Sequence, residues 1–560
     1  MKLSLDHPTM SNFTIKQPQL FYCYTLPLEQ INKLNKFLAV LERSGVGEII
    51  KKVVHENSNG RPGYDPYAML ATVIYGFAVG APSLRELESS CAYDLRFKYL
   101  MNNAEPDHSS FCRFINEVVK PNADAIFSCL TKEYLCTCNI IADDCHIDGT
   151  KFEAKPNKYK TVWKPITYHN KLSEKIRILL SNLGLSEDVP VSGIIPSRII
   201  ADKLSAVAHL DRQNLSPEEL KMRQRDIQNL TNCLGKSLEY EEKETICGPG
   251  RNSYYKTDHD ATAMCLKADY YSGLGSSLHA AYQIQCIVSH GMIVTYYVSQ
   301  DRTDMHAFIP TVERFYESYG RYPCAITADS GYGCYENYKY CKDKGIEAFI
   351  KYLAWAGEAN GKRPALFHLN DIDTITCIAG KVGYRAEIPE RHHKVKDGRF
   401  YIVRCRNLCP FKIYCRRLLK EKKGRTRTFE IRPNYELLKN EARDKLLSPR
   451  GIEMRVNRSC QNEGTFGVVK QNMGYTRIRR VGIHQVKTEF MLTLLGLNTR
   501  KLFRFFDGKD PFTYWKAPEG LHSEQFKKPS AKRLTNKVLK KKVLQPNEIA
   551  RNSYRRKRGR

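Results

Sequence analysis

The chain has 560 residues, more than one ordinary hydrophobic core accommodates, which predicts two to four domains. Its 89 lysines and arginines outnumber its 60 aspartates and glutamates, and the resulting charge of +29 favours a polyanionic partner, of which nucleic acid is the commonest. No apolar run is long enough to cross a bilayer and the N-terminus has no signal-peptide pattern, so we expect a cytoplasmic protein with no membrane partner.

Residues 1–138 are predicted to form a helical domain. Apolar residues recur at helical spacing over residues 28–41. Pro66–Val79 is a second apolar segment, and its proline suits the first position of a helix. Asp107 stands before Phe111 as a side chain suited to cap a third helix. A stabilising helical bundle and a DNA-binding domain fit this pattern about equally well.

Residues 139–352 are predicted to alternate strands and helices. The first strand is short and ends at residue 147, and residues 172–245 form a polar, helix-favouring insertion. A hairpin follows over residues 282–298, with its turn at Ser289-His290-Gly291. After the hairpin we expect a helix, a strand, a helix and a strand at residues 304–316, 324–327, 334–344 and 347–352. This alternation predicts an α/β core with a mixed sheet.

Residues 353–450 interrupt the alternation and are predicted to form an insertion domain that contains a cysteine cluster. Residues 451–510 return to the core and contain two expected helices, at 463–473 and 487–506. Residues 511–560 form a basic tail. We expect this tail to be disordered from Lys527 onward, because lysine and arginine are dense there and apolar residues are few.

Two aspartates follow predicted strands and precede glycines. Asp148 follows the strand that ends at residue 147, and Asp329 follows the strand at 324–327. Acidic side chains at strand ends lie where α/β sheets commonly bind ligands, although an aspartate before a glycine is more often a turn residue. Converging carboxylates hold Mg²⁺ or Mn²⁺, and a pair of such ions promotes phosphoryl transfer. Spacing alone leaves the turn and the metal ligand as open alternatives.

The segments around these aspartates resemble those of DDE transposases of bacterial insertion sequences, in particular insertion-sequence group eleven-eighty-two. The segments that carry the resemblance are residues 146–154, 157–159, 162–164, 328–332 and 458–470, preceded by 61–66 and 106–110. The resemblance extends from about residue 20 to residue 510. One departure is that the family's usual Tyr-Asn-x-Gln appears here as Tyr-Gln-Ile-Gln at residues 282–285.

The resemblance implies an RNase H-like core with a mixed sheet, a helical N-terminal domain that binds DNA ends, and an insertion before the last catalytic residue. It implies that Asp148, Asp329 and Glu463 are the catalytic carboxylates and the ligands of Mg²⁺ or Mn²⁺. The implied activity is metal-dependent cleavage at the ends of an insertion sequence, followed by strand transfer into target DNA. The implied partners are the double-stranded terminal inverted repeats, target DNA and further copies of the chain on that DNA, at the nucleoid.

Two cations near the predicted glutamate are candidate DNA contacts. In an α-helix Lys470 lies on the same face as Glu463, which predicts that its ammonium reaches a DNA phosphate near the metal ions. Related groups place an arginine four positions before the glutamate, but this chain has Ser459 there. Arg455 and Arg458 are the nearest candidates for that arginine, and Arg458 is predicted to contact DNA beside Lys470.

Other acidic residues are interpreted as structural. Asp143 and Asp144 are expected at the edge of the first strand, and Asp258, Asp260 and Asp304 as caps. Three alternative functions stay open at this point. They are a nuclease that cuts without joining, a domesticated DNA-binding protein without catalysis, and an RNA-binding scaffold. The first differs in strand transfer, the second requires the loss of a carboxylate, and the third requires aromatic-rich RNA-binding motifs that the sequence lacks.

The 19 cysteines are odd in number, which favours reduced thiols over disulfides. Cys405, Cys409 and Cys415 are close together, and Cys377 lies upstream in a predicted strand and turn. Four thiolates suit a tetrahedral zinc site, but intervals of three and five residues are looser than the paired two-residue gaps of strong zinc signatures. A zinc site and a set of reduced thiols therefore both remain possible.

Overall fold

A computed structural model describes ten stretches of the chain: residues 25–53, 63–80, 83–207, 216–266, 277–387, 395–405, 409–419, 426–510, 512 and 514–534. The chain forms two compact units. The first is Met1–Ile140 with Met491–Pro511, and the second is Ile141–Phe490 with Phe512–Arg560. The five predicted domain segments stay predictions.

The first unit is helical. Its helices are α1 Leu28–Arg43, α2 Val46–Lys51, α3 Pro66–Val79, α4 Leu84–Tyr93, α5 Leu95–Leu100, α6 His108–Phe114 and α7 Ala123–Thr137. The predicted helix starts are confirmed: Asp65 caps α3 by accepting a hydrogen bond from the Tyr67 N–H at 2.9 Å, with Pro66 next to it. Asp107 caps α6 by accepting from the Ser110 N–H at 2.6 Å. Local capping chemistry thus sets where these helices begin.

The helix α3 is buried on nearly every side within this unit, from Met69 to Ala78. No single described helix is long and apolar enough to span a membrane, and α3 with α4 passes that test only as a pair bent by 102°. The buried hydroxyl of Tyr134 is satisfied by Thr499 at 2.9 Å, so the C-terminal half of a late helix completes this core.

The second unit contains a mixed sheet. Its strands are β1 Asp144–Glu153, β4 Thr262–Leu266, β5 Ser277–Ser289, β6 Met292–Ser299, β7 Ala325–Ala328 and β8 Glu347–Ile350, while β2 Thr161–Trp163 and β3 Ser253–Tyr255 form a separate pair. The order is β4-β5-β1-β7-β8, with β6 also beside β5. The strands β1, β7 and β8 run parallel, and β5 runs antiparallel to β1, β4 and β6. The helices α11 Phe308–Tyr319 and α12 Tyr335–Asp343 connect the later strands. The predicted α/β class with a mixed sheet and a helical N-terminal region is confirmed.

The first strand does not end at residue 147. It continues to Glu153 because β5 pairs with it from His146 onward, and Asp148 faces Cys286 in that register. Asp148 therefore lies inside a strand, so the expectation of a short strand was wrong. The predicted hairpin between β5 and β6 is confirmed, with His290 and Gly291 at φ 49° and 81°, as a tight hairpin turn requires.

Two insertions extend the second unit. The first is helical, as predicted, and consists of α8 Ile166–Asn182, α9 Ser197–Val207 and α10 Pro217–Cys247 around a core of its own. The second is a five-stranded antiparallel sheet ordered β13-β12-β11-β10-β9. Its elements are α13 Trp355–Ala359, β9 Phe367–Leu369, β10 Thr374–Cys377, β11 Val382–Ala386, β12 Arg399–Arg404, α14 Lys412–Leu419 and β13 Thr426–Ile431.

In the helices that follow, the single helix predicted at 463–473 is a short α-helix between two π-helical turns. The helices are α15 Pro433–Leu447, α16 Pro449–Arg458, α17 Gly464–Gly467 and α18 Ile483–Phe506, with π-helical turns at Ser459–Glu463 and Val468–Asn472 on either side of α17. Farther on, Phe526 packs on Trp355 at a ring distance of 5.0 Å, and the Lys527 N–H donates to Ala359 O at 3.0 Å. The expected disorder from Lys527 onward is thus wrong for residues 527–534, and residues 535–560 lie outside the described part.

Candidate active site

Asp148 and Asp329 lie on neighbouring parallel strands. The register of β1 with β7 pairs His146 with Thr327, so two residues farther on Asp148 stands level with Asp329. Asp329 follows the last residue of β7, and its carboxylate accepts a hydrogen bond from the Gly331 N–H at 2.8 Å. The Asp148 carboxylate accepts from the Gly149 N–H at 2.9 Å. Strand pairing alone therefore brings together two carboxylates that are distant in the sequence.

The Asp148 carboxylate lies in a poorly solvated environment. Burial raises the pKa of Asp148 to about 6, an effect opposed by the positive charge of Arg458 and by the Gly149 N–H. The negative charges of Asp329 and Asp304 raise the pKa of Asp148 further. Asp148 thus carries its charge at a free-energy cost that a nearby cation offsets.

Arg458 is the cation nearest to Asp148. The residue is 8% exposed, and its Nη1 donates to Asp148 Oδ2 at 3.1 Å. It stands five residues before Glu463, whereas related groups use an interval of four. The intervening turn Ser459–Glu463 is π-helical, and a π turn joins residues five apart where an α turn joins residues four apart. The wider turn offsets the extra residue between Arg458 and Glu463, and the arginine role of Arg458 stays a prediction. Arg455 instead pairs with Glu524 at 2.7 Å.

Glu463 and Lys470 lie on the same run of helical turns. The backbone of Glu463 ends the first π turn, but its side chain lies outside the described part. The Lys470 ammonium donates to Thr150 Oγ1 at 2.6 Å and to Lys151 O at 3.0 Å, and it lies 4.7 Å from the centre of the Phe152 ring. These contacts hold the ammonium against β1, two residues beyond Asp148.

A third described carboxylate, that of Asp304, also lies at this site. Both Gln283 and Gln285 donate side-chain hydrogen bonds to Asp304 Oδ1, that of Gln285 at 2.9 Å. Burial raises the pKa of Asp304, Gln285 opposes the rise, and the charge of Asp329 adds to it. Asp304 makes no capping hydrogen bond with its side chain, so its interpretation as a cap was wrong.

The glycines beside the two predicted aspartates make room for Asp304. A Cβ atom on Gly149 would lie 2.5 Å from Asp304 Oδ1 and 2.8 Å from Gln285 Cδ. A Cβ atom on Gly331 would lie 3.0 Å from Asp329 Oδ1 and 3.2 Å from Asp304 Oδ2. Both approaches are closer than ordinary van der Waals contact, so a side chain at either position would disturb the packing of the site. Gly331 also lies in the 3-10 turn Ser330–Tyr332, which the Asp329 carboxylate caps.

Two family models match the chain. A transposase DDE domain covers residues 376–503, and a second transposase domain covers residues 26–117. Both models describe transposase domains, and the first is of the DDE class. The expected relation to transposases of insertion sequences is thereby confirmed, while the particular insertion-sequence group stays a prediction. No curated protein and no solved structure matches the chain.

Only part of the candidate site lies within the matched residues. The DDE-domain match includes Arg458, Glu463 and Lys470 and begins after Asp148 and Asp329. The grouping of the two aspartates therefore rests on strand pairing and electrostatics.

The other aspartates considered from the sequence have structural partners. Asp143 pairs with Arg321 at 2.8 Å. Asp144, the first residue of β1, binds Arg450 and accepts from the Tyr514 hydroxyl at 2.8 Å. Asp258 accepts from the Tyr282 hydroxyl at 2.8 Å, and Asp260 accepts from the Ile483 N–H at 2.9 Å. Asp260 thus caps the start of α18.

The sequence of β5 contains a pattern that indicates a buried polar partner such as Asp304. Gln283 and Gln285 are two residues apart, so they lie on the same face of β5. Both are buried in an otherwise apolar stretch. Polar side chains at period two on a buried strand require polar partners. Their partner is the Asp304 carboxylate, and Gln285 also accepts a hydrogen bond from the buried Tyr332 hydroxyl.

Proposed function

We propose that this transposase cleaves DNA at the ends of an insertion sequence and joins the freed 3′ ends to target DNA, with Asp148, Asp329 and Glu463 as its catalytic carboxylates. The observation that carries the proposal is the pairing of β1 with β7. This pairing sets the two carboxylates side by side, where the negative charge of Asp329 adds to the rise in the pKa of the buried Asp148. A fold has little reason to group like charges in this way, whereas a divalent cation gives it one.

The strand order supports an RNase H-like core for this site. The chain makes an antiparallel series β1-β5-β6 and then adds two strands parallel to β1 on its other side. The helices α11 and α12 make the crossovers to β7 and β8. The two aspartates then lie on the central strand and on its first parallel neighbour, and the helical turns with Glu463 come last in the sequence.

The donor chemistry fits Mg²⁺ or Mn²⁺. Carboxylate oxygens are hard donors, which these ions prefer, and a site of this kind needs only a few protein carboxylates besides phosphate and water. No three His, Cys, Asp or Glu side chains among those the structure describes are arranged as a metal site, and Glu463 is not among them. We therefore assign the metal to Asp148 and Asp329 with Glu463 as the further ligand. When bound, the ions supply an activated nucleophile and neutralise the leaving oxygen.

The surrounding residues prepare the carboxylates for this role. Arg458 favours the ionised form of Asp148, because its guanidinium lowers the pKa that burial raises. Gln283 and Gln285 fix Asp304 beside the same carboxylates. Asp304 thus acts as a positioning residue, which holds the amides of β5 against Gly149 and adds negative charge to the site.

DNA is the partner that the charge of the chain favours. The net charge of +29 suits phosphate contacts, which supply most of the affinity of such proteins without reading sequence. Arg458 and Lys470 lie beside β1 at the carboxylates, and we propose that both contact the phosphates flanking the scissile bond. The double-stranded terminal repeats, the target DNA and a second copy of the chain complete the proposed assembly.

The experiment is cleavage and joining of a labelled element end with Mg²⁺ or Mn²⁺. We expect Asp148→Ala and Asp329→Ala to lower both activities by orders of magnitude, because the ligands of the metal are lost. Asp143→Ala is the matched control, since it removes a carboxylate near β1 that only pairs with Arg321. Circular dichroism shows whether each variant is folded.

Near-wild-type cleavage by a folded Asp148→Ala or Asp329→Ala protein would contradict the assignment. Cleavage without joining by the wild-type chain would support a nuclease and overturn the strand-transfer half of the proposal. Unfolding of both variants would show that the carboxylates serve the fold.

A further inference from the structure

Four cysteines of the five-stranded insertion line one small cavity. Cys377 ends β10, Cys405 follows β12, Cys409 precedes α14 and Cys415 lies within α14. The cavity that they line together has a volume of about 20 Å³. A space of that size accommodates about one water molecule. The insertion thus brings four cysteines from separate segments to one cavity with room for a single small particle.

The turn after Cys377 directs a backbone donor at its sulfur. Gly380 has φ +75°, and its N–H donates to Cys377 O at 2.8 Å, which closes a tight turn between β10 and β11. The Lys381 N–H then donates to Cys377 Sγ at 3.4 Å. The Cys377 sulfur thus accepts a backbone hydrogen bond beside the cavity that it lines.

Two cations line the same cavity. Arg427 is 2% exposed and lies on β13, and Lys412 begins α14. Nearby cations stabilise thiolates. Four thiolates on one divalent cation carry a net charge of −2, and Arg427 and Lys412 are cationic residues that line this cavity.

The hydrophobic core under this sheet is small. Its fully buried members are Leu369, Ile375, Tyr401, Val403, Cys415, Phe429 and Ile431. Small β-rich modules commonly need a metal ion or disulfides in addition to such a core. A metal ion bound by these cysteines would add a cross-link next to this core.

We propose that Cys377, Cys405, Cys409 and Cys415 bind one structural Zn²⁺ through their thiolates, independently of the catalytic metal. Zinc suits this donor set, because closed four-thiolate sites are tetrahedral structural sites. As the side chains stand, no three candidate ligands in the described stretches converge as a metal site. Binding therefore requires rotation of cysteine side chains about χ1, which swings each sulfur between staggered positions. The four thiols release protons as the ion binds.

The first test uses the full-length, reduced protein. Elemental analysis should find one zinc per chain. Replacement of zinc by Co²⁺ should give the visible absorption of tetrahedral cobalt together with sulfur-to-cobalt charge transfer. A zinc-free protein that shows no such absorption when Co²⁺ is added would overturn the proposal.

Variants locate the ion. Cys409→Ser should lose the zinc and the cobalt spectrum. Cys265→Ser is the matched control, since Cys265 is an exposed cysteine on β4, and it should retain both. Equal zinc content in the two variants would place the ion elsewhere and overturn the proposal.

A measurement on the unaltered chain covers the case in which Cys409→Ser does not fold. Thiol alkylation followed by mass spectrometry should show the four cavity cysteines protected until a chelator is added. The alkylation of Cys265 should not depend on the chelator. Chelator-independent alkylation of the four cysteines would overturn the proposal without any substitution.

Discussion

Replacement of Asp148 with asparagine should stabilise the metal-free fold at neutral pH. The carboxyl of Asp148 has a pKa of about 6 in the fold, against an ordinary value of 3.8. The fold therefore binds the proton more tightly than the unfolded chain does. The stability that protonated Asp148 confers is fully present below pH 3.8 and is lost as the pH rises through about 6. Asparagine remains neutral and keeps this stability at every pH.

The size of the effect follows from the two pKa values. At pH 7.5 the ionised carboxylate costs the fold about 3 kcal/mol relative to its neutral form. Asparagine recovers less than this, because Arg458 and the Gly149 N–H donate to different carboxylate oxygens and asparagine offers only one acceptor. The mismatch costs about 1 kcal/mol. We therefore expect Asp148→Asn to be more stable than the wild type by about 2 kcal/mol at pH 7.5.

Urea unfolding at several pH values, with chelator present, measures this difference. The advantage of Asp148→Asn should shrink as the pH falls from 7.5 towards 4. At pH 7.5 added Mg²⁺ should stabilise the wild type and reduce the advantage, because the ion binds the carboxylate only in the fold. A variant less stable than the wild type by several kcal/mol, with a difference that does not change with pH, would refute the reasoning and show that the ion pair with Arg458 dominates.

Three further predictions concern the neighbours of the site and the tail. Gly149→Ala should destabilise the fold by about 1–3 kcal/mol and lower cleavage at least about tenfold, since its Cβ overlaps Asp304. The helical control Gly467→Ala meets no atom within 4 Å and should be neutral or stabilising in the same thermal melts and cleavage assays. Tyr332→Phe leaves the buried Gln285 carbonyl without its hydroxyl partner and should cost about 1–3 kcal/mol in urea unfolding. Removal of residues 535–560, with ten lysines and arginines and one glutamate, should flatten the salt dependence of duplex binding by about 0.9 per lost phosphate contact, and an unchanged slope would exclude them from DNA binding.

Features set by neighbouring residues were predictable from the sequence. Asp65 with Pro66, and Asp107, mark helix starts that the structure confirms, because an N-cap depends on a few adjacent residues. The turn at His290-Gly291 was predictable for the same reason. The order of strands and helices after it follows from hydrophobic periodicity, and only the element ends differ by a few residues.

Features set by distant pairing were not predictable in this way. The strand through Asp148 continues because β5 supplies hydrogen bonds to it, and the sequence Asp148-Gly149 by itself suggests a turn. The proposed role of Arg458 depends on a π turn, which a periodicity of 3.6 residues does not reveal. Asp304 was misassigned as a cap because its amide partners lie on another strand.

The central claim is that Asp148, Asp329 and Glu463 surround one metal centre. The most direct test replaces Mg²⁺ with Fe²⁺ and generates hydroxyl radicals with ascorbate and peroxide, which cut the backbone beside the bound ion. We predict three groups of cuts in the native chain, next to residues 148, 329 and 463, all of them abolished by excess Mg²⁺ and by Asp148→Ala. Cuts next to residues 148 and 329 that are never accompanied by cuts near residue 463 would contradict the account.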